Sequence, residues 1–235
     1  VIPGVLSAEE CALLSQQSDH VWPRQAQDPA FRRTASVSLW GADFRNLMDH
    51  PKVLPYLIEL IGPRVRLDHD YAIYMRHGAE SQPIHGGPMR YESDHWYHYN
   101  DGIMRNGLMV ATWALTDAGP NDGGFVCVPG SHKTNFIDRL PKTVQHQELM
   151  PEYVRQPIVK AGDVILFTEA LMHGTRAWHG DHERRVLLFK YSPPHSSWAK
   201  QGYDLADYSD ATEQQRRLMA PPSVEDHAKV AGDKS

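Results

Sequence analysis

The sequence predicts an α+β fold, mainly β, on three observations. Helix patterns are confined to the first part of the chain and its C-terminal stretch; short β-rich runs follow one another after Gly62; and Gly/Pro/Asn/Asp clusters punctuate those runs. Helices first and then many short strands at irregular spacing imply a sandwich or barrel. With 235 residues, of which 41% are apolar, the chain can bury a substantial core, and a single domain over 1–235 is expected. Within it, helices occupy 1–65, a β core about 66–195, and a helix with a tail 204–235.

The elements follow in order. Ser7-Ala8-Glu9-Glu10 reads as a capping box, in which the hydroxyl and the glutamate three residues on satisfy early amide donors. A helix should run from Ala8 to Gln17. Pro51 to Ile61 is a second helix, with prolines near its first turn, apolar Val53, Leu54, Leu57, Ile58 and Ile61 along one side, and Gly62 as a stop. Strands are expected at Arg66 to Met75, Gly107 to Leu115, Gly124 to Val128, Val164 to Phe167 and Val186 to Tyr191. Gln82 to His85 can start a further strand with the imidazole facing inward. Thr212 to Met219 is helix-like, and the last dozen residues read as a poorly ordered tail.

A net charge of -5 without a long basic run argues against a nucleic-acid polymer or a membrane surface as partner, while one concentrated pocket for a small anion stays compatible with it. Cys11 and Cys127 make neither a disulfide framework nor a structural zinc site. A reducing, cytoplasmic setting is the expectation, since no apolar run approaches the roughly 20 residues of a membrane span.

Two of the fourteen histidines stand in informative settings. His173 follows the turn and strand Ala161-Gly162-Asp163-Val164-Ile165-Leu166-Phe167 and precedes Thr175 and then Arg184, at the head of the last strand. His85 sits in Pro83-Ile84-His85-Gly86-Gly87. A pair of histidines with one carboxylate is the facial set that holds Fe(II) with positions open to co-substrates. A keto-acid such as 2-oxoglutarate would then need a buried guanidinium for its far carboxylate, which Arg184 can supply, with the Thr175 hydroxyl on the same face as His173.

Asn121-Asp122-Gly123-Gly124 with Pro129-Gly130-Ser131-His132-Lys133, together with Ala161-Gly162-Asp163, His173-Gly174-Thr175 and Arg184, resembles the phytanoyl-CoA dioxygenase family of Fe(II)/2-oxoglutarate oxygenases over roughly Leu67 to Pro193. The resemblance implies a double-stranded β-helix, or jelly roll, with Fe(II) on His85 and His173 at its mouth, and 2-oxoglutarate and O2 as co-substrates. It implies that Thr175 and Arg184 bind 2-oxoglutarate. Trp113 lies on the strand where the family often presents an aromatic beside that molecule; the other reading of it is a core tryptophan. His132 is read as pinning its turn by hydrogen bonding.

The proximal site departs from the family, because Gly87 stands where a carboxylate is usual. Three assignments compete: His85-Gly86-Gly87 without a carboxylate; His95-Trp96-Tyr97 or His98-Tyr99-Asn100; and His85 with Glu92, Asp94 or Asp101 from the following loop. The first resembles the halogenases of the wider superfamily, in which chloride takes the carboxylate's position, and it implies chlorination of an unactivated C–H bond. A hydroxylase completed by a more distant acid, or a non-catalytic jelly-roll binding protein, are the alternatives. Met89 to Tyr99, rich in aromatic and imidazole groups, is expected to lie over the metal as a lid. There Arg90, His95 and His98, with Lys133 from the Pro-Gly-Ser-His-Lys turn, would bind an anionic small molecule, a nucleotide being the specific expectation.

Overall fold

The computed structural model describes residues 1–87, 94–134, 140–225 and 228–230. Helix α1 (Ala8–Val21) begins at the expected capping box: Glu10 N donates to Ser7 Oγ and Ser7 N to Glu10 Oε2. Such a cap stabilises a helix by about 1 kcal/mol. The helix runs one turn past Gln17 and buries Cys11, Leu14 and Ser18, where Ser18 Oγ accepts from the Tyr74 hydroxyl at 2.7 Å. Helix α2 (Ala42–Arg45) is a single turn. Helix α3 spans Leu54–Leu60, shorter than the expected 51–61, because residues 51–53 form turns and Pro55 occupies the first helical turn.

Ten strands are described: β1 (Phe31–Ala35), β2 (Arg66–Met75), β3 (Gln82–His85), β4 (Tyr97–Asn100), β5 (Ile103–Asn106), β6 (Met109–Ala114), β7 (Gly124–Cys127), β8 (Val164–Thr168), β9 (His173–Arg176) and β10 (Arg184–Ser192). They form a five-stranded sheet in the order β1-β2-β10-β6-β8, a three-stranded sheet β3-β9-β7, and a hairpin β4-β5. Every pairing is antiparallel. This is the α+β, mainly β architecture of the jelly roll. Two further helices, α4 (Lys142–Gln145) and α5 (Glu213–Leu218, capped by Thr212), lie outside the sheets.

Alternation along the large sheet separates two environments. One face presents Leu67, Ala72, Tyr74, Met109, Ala111, Trp113, Val164, Leu187, Phe189 and Tyr191 to the helices in one apolar cluster. The other presents Tyr71, Met75, Val110, Ala114, Ile165, Phe167, Val186 and Leu188 toward the small sheet. Burial of these side chains, at about 25 cal/mol per Å² of apolar surface, holds the layers together.

Three expectations are corrected here. Residues 1–65 are not helices alone: β1 pairs with β2 along its whole length, from Phe31↔Met75 to Ala35↔Tyr71. Its Phe-Arg-Arg-Thr-Ala sequence suits an edge strand, where charge guards the open side; Arg32 stacks at 3.8 Å over Trp22 and pairs with Asp28. The segment after Trp96 does not lie over the metal but folds as the β4-β5 hairpin, turned by Asp101 and Gly102 at φ 51° and 80°, the Asp-Gly chemistry of a tight two-residue turn. Within the expected tail, Val230 is buried in the core and its amide donates to the Pro63 carbonyl. Among the described residues no helix is long and apolar enough to cross a membrane.

Candidate metal and co-substrate site

The ladder between β3 and β9 sets His85 directly opposite His173. Their rings lie 4.4 Å apart between centroids. His85 Nδ1 donates to the Pro83 carbonyl at 2.9 Å and His173 Nδ1 to the Leu171 carbonyl at 2.7 Å. A carbonyl only accepts, so each Nδ1 carries the proton and each Nε2 lone pair is free for a metal, the tautomer fixing that ligating histidines use. Burial above all lowers the His173 pKa to about 4, keeping the ring neutral.

A third group joins them. One ligand atom each from His85, Glu169 and His173 lies within 4.8 Å of the other two. Glu169 follows β8 and is carried by the turn Glu169-Ala170-Leu171-Met172 that leads into β9. Its Oε2 is 3.7 Å from His173 Nε2 and 3.8 Å from His95 Nε2, while Oε1 accepts from Lys190 Nζ at 2.6 Å. Burial alone would raise the Glu169 pKa, but the Lys190 ammonium and then the neighbouring imidazoles hold it at about 2. Two imidazole nitrogens and an ionised carboxylate form a donor set that suits Fe(II).

Gly86 and Gly87 acquire a structural reason. A Cβ on Gly86, at φ +82°, would lie 2.6 Å from the Leu171 carbonyl oxygen and 2.7 Å from that of Glu169. The Gly87 amide donates to that same Glu169 oxygen at 3.1 Å. The glycine pair therefore seats the turn that bears Glu169 and His173 against His85. Gly87, where the family usually has a carboxylate, supports the turn between β8 and β9 that brings Glu169 beside the histidines. Sequence reasoning missed Glu169; the available signal was an acid four residues before His173, across a turn.

The other proximal assignments separate by geometry. Asp94 accepts from Ser192 Oγ at 3.2 Å, Asp101 sits at the tip of the hairpin, and Glu92 lies outside the described residues. His95 is buried beside Glu169 and stacks on Trp198 at 5.0 Å. His98 is exposed on β4, edge-on to Trp96, and lines no part of the metal cavity. Lys133 is exposed with its ammonium 5.8 Å from the Tyr97 ring, also away from that cavity. Arg90 lies outside the described residues. His98 and Lys133, expected to bind substrate, thus lie away from the cavity: His98 on the hairpin, and Lys133 in the Pro-Gly-Ser-His-Lys turn, which meets the hairpin at Tyr97.

Behind these three side chains a cavity of about 200 Å³ runs between the sheets. Arg184, at the start of β10, lines it and is fully buried, with no carboxylate partner among the described residues; its Nη1 reaches only Met75 Sδ, at 3.5 Å. Burial lowers its pKa to about 10, still high enough to keep the charge. A buried guanidinium without an anion is costly unless a ligand supplies one. Gly124 leaves room for it, since a Cβ there would come within 2.8 Å of Arg184 Nε. Thr175 lines the same cavity, two residues from His173 on β9.

Trp113 does not line it. It is fully buried on the opposite face of β6, edge-on to His50 at 5.4 Å between centroids. The cavity side of β6 at this level is Thr112, whose buried Oγ1 has no hydrogen-bond partner. The strand was legible and its face was not, which moves the expectation for Trp113 one residue back, to Thr112. The Pro-Gly-Ser-His turn is pinned by Ser131 rather than His132: Ser131 Oγ accepts from the Met172 amide at 2.7 Å, while His132 packs edge-on to Tyr97.

Known proteins share this fold. Residues 1–186 match the model of the phytanoyl-CoA dioxygenase family. A probable alpha-ketoglutarate-dependent hypophosphite dioxygenase of Stutzerimonas stutzeri is 24% identical over 211 residues, 83% of this chain and 68% of that protein. HygX from Streptomyces hygroscopicus, solved with nickel and 2-oxoglutarate, is similar with a TM-score of 0.74 and 25% identity over 83% of each chain. Its iron-bound form is similar with a TM-score of 0.69 and 25% identity, over 83% of this chain and 82% of that one. With two thirds and more of its length matched, the chain belongs to the phytanoyl-CoA dioxygenase family and is an enzyme of the Fe(II)/2-oxoglutarate dioxygenase superfamily.

Proposed function

We propose that the protein is an Fe(II)- and 2-oxoglutarate-dependent hydroxylase of a small molecule, working as one domain over 1–235. Iron would be held by His85, Glu169 and His173, and the far carboxylate of 2-oxoglutarate by Arg184 with the hydroxyls of Thr175 and Thr112. The single observation that carries this reading is the Glu169 carboxylate beside the two free imidazole nitrogens. With a carboxylate of its own at that place, the site has no need of chloride as a ligand, and hydroxylation is favoured over the chlorination that Gly87 suggests.

Bound iron, with 2-oxoglutarate and O2, supplies the oxidising power to insert oxygen into an unactivated C–H bond as 2-oxoglutarate goes to succinate and CO2. The chain's residues do the rest. The Nδ1–carbonyl bonds hold both imidazoles in one orientation. Phe125 and Phe167, 4.7 Å apart between centroids and both near His173, wall the site against water. Arg184 lies at the opposite end of the cavity-facing row of β10 from Lys190 and neutralises the co-substrate's far charge.

The substrate we propose is a small molecule bearing an anionic group. Arg33 lines the cavity, stacks at 4.0 Å over Tyr71, and has no carboxylate within salt-bridge distance among the described residues. The hypophosphite named for the Stutzerimonas stutzeri relative is also a small anion. Nothing described favours a nucleotide: among the described residues expected to stack on one or bind its phosphate, only His95 lies at the site.

The test is the product. In air, with Fe(II), 2-oxoglutarate and a panel of small anions in the presence of excess chloride and bromide, we expect succinate release coupled to a product heavier by one oxygen. Glu169→Gln should lose metal affinity by more than the roughly 100-fold upper range of an outer-layer change. A halogenated product would overturn the reading, as would Glu169→Gln holding metal like the wild type.

A further inference from the structure

Glu169 is not free to turn. Its Oε1 is engaged by Lys190 Nζ at 2.6 Å, and both side chains are buried, with relative exposures of 4% and 12%. Glu169 is the sole salt-bridge partner of Lys190 among the described residues. Lys190 projects from β10 on the cavity face, opposite His69 of β2 and Val110 of β6. Its ammonium lies 5.5 Å from the Tyr71 ring, whose position Arg33 fixes from above at 4.0 Å. The register shift in the β10–β2 ladder falls between Lys190 and Tyr191, so the strand bends where the lysine leaves it. The lysine is built into the site and is not a solvated charge that happens to reach it.

We propose that Lys190 is a positioning residue that makes Glu169 a one-oxygen ligand. This rests on the reading of Glu169 as the metal carboxylate. A carboxylate can grip a metal with one oxygen or with both. A six-position ion that takes two imidazole nitrogens and both oxygens has room for a chelating keto-acid and nothing more; with one oxygen it keeps a further position open, as an oxygenase of this kind requires. By taking Oε1, Lys190 leaves Oε2, the oxygen turned toward His173 and His95, for the metal. A carboxylate on the residue two after His85 would reach the metal from its own strand; one delivered from a turn, as here, needs its orientation set by a partner.

The same pair makes the metal site more positive than three ligands alone would, since Lys190 offsets the charge of Glu169. That favours a dianionic co-substrate at the metal. Removing the ammonium should therefore weaken 2-oxoglutarate more than metal.

Lys190→Met, Lys190→Arg and Glu169→Gln distinguish the possibilities, with Ni(II) affinity and the visible band of the anaerobic Fe(II)–2-oxoglutarate complex as readouts and circular dichroism as the check on folding. In Lys190→Met we expect 2-oxoglutarate affinity to fall about 10- to 100-fold, the worth of a lost hydrogen bond to a charged group, and Ni(II) affinity to fall by less. Lys190→Arg, which still donates to Oε1, should restore 2-oxoglutarate affinity. Wild-type 2-oxoglutarate affinity with an unshifted visible band in Lys190→Met would overturn the proposal, as would equal losses in the Met and Arg variants. If Lys190→Met does not fold, Lys190→Gln, which removes the charge but keeps a polar side chain, takes its place: a 2-oxoglutarate affinity below that of wild type supports the proposal, and a wild-type value overturns it. Glu169→Gln separates the two layers. Undiminished Ni(II) binding there removes the reading of Glu169 as ligand, whereas lost Ni(II) binding with unchanged Lys190→Met removes only the role of Lys190.

Discussion

The two faces of the large sheet are made from the same strands and obey opposite rules. On β10, Leu187, Phe189 and Tyr191 face the helices, and the one polar atom among them is satisfied, the Tyr191 hydroxyl donating to the Met48 carbonyl at 2.9 Å. Between them, Arg184 and Lys190 face the cavity with Val186 and Leu188. On β6 the same alternation sets Trp113 against Thr112. The helix face is a packed layer whose orphan on β6, Trp113 Nε1, lies away from the metal donors; among the described residues the cavity face buries a guanidinium without a carboxylate and a hydroxyl without a partner. Buried polar groups are ordinarily paired. Where two orphans share one cavity with a metal donor set, the missing partner is a ligand.

Arg184 offers the largest test of that contrast. Arg184→Met should weaken 2-oxoglutarate binding by roughly 2–5 kcal/mol, the cost of leaving a buried charge unpaired in the complex, while the metal-free fold is unharmed or gains stability because the orphaned cation is gone. Titration of the anaerobic visible band and thermal unfolding report the two effects. A variant that binds 2-oxoglutarate normally would dissolve the distinction between the faces at this position.

The neighbours on β6 sharpen it further. Trp113→Ala should cost about 3–5 kcal/mol of stability, as truncation of a buried aromatic does, with 2-oxoglutarate affinity of the folded fraction unchanged. Thr112→Val should do the reverse: no loss of stability, and about 1.5–3 kcal/mol of 2-oxoglutarate binding, the worth of a hydrogen bond to a charged group. Reversed outcomes would return the co-substrate wall to Trp113.

Acid should act on the cavity face first. His173 is held neutral by burial, its pKa lowered to about 4, against about 6.5 for an unfolded histidine. The unfolded chain therefore takes up a proton that the folded one refuses. His173's contribution to stability is complete above pH 6.5 and is lost as the pH falls toward 4; His95, also lowered by burial, acts in the same direction. Glu169, held at about 2, keeps its contribution through that window. Melting of the metal-free protein should fall between pH 7 and pH 5, and His173→Gln should flatten the dependence; an equal slope in that variant would assign the effect elsewhere.

The smallest effects belong to the hairpin. His98→Ala and Lys133→Ala should each change stability by no more than about 0.5 kcal/mol, as exposed substitutions do, and leave 2-oxoglutarate binding unaltered. A large loss in either would bring the hairpin back over the site.

Much of this was legible in the sequence, and the exceptions have physical causes. β2 matches its expected bounds, and β10 contains its expected run, because both carry aromatic and branched side chains in runs buried on both faces, Tyr71 to Met75 and Val186 to Phe189. Arg184 and Thr175, singled out by their spacing to His173, both line the cavity. β1 was not, because Phe-Arg-Arg-Thr-Ala has the composition of a surface loop and becomes a strand only by pairing with β2. The hairpin carried an Asp-Gly turn signal that the aromatic content around it obscured. The place of Glu169 beside the histidines could not be read from its neighbours, since what sets it is contact between the 169–172 turn and Gly86-Gly87, more than eighty residues earlier. Thr112 and Trp113 differ by which face of β6 meets the cavity, a property of the assembled sheets and not of the strand.

One measurement tests the central claim most directly: an anaerobic crystal structure with Fe(II), 2-oxoglutarate and bromide, with anomalous scattering recorded at the bromine edge. The account predicts Glu169 Oε2 bound to the metal with His85 and His173, Oε1 still on Lys190, and no bromine signal at the metal. A bromine peak in the metal's coordination shell, with Glu169 held by Lys190 alone, would contradict it.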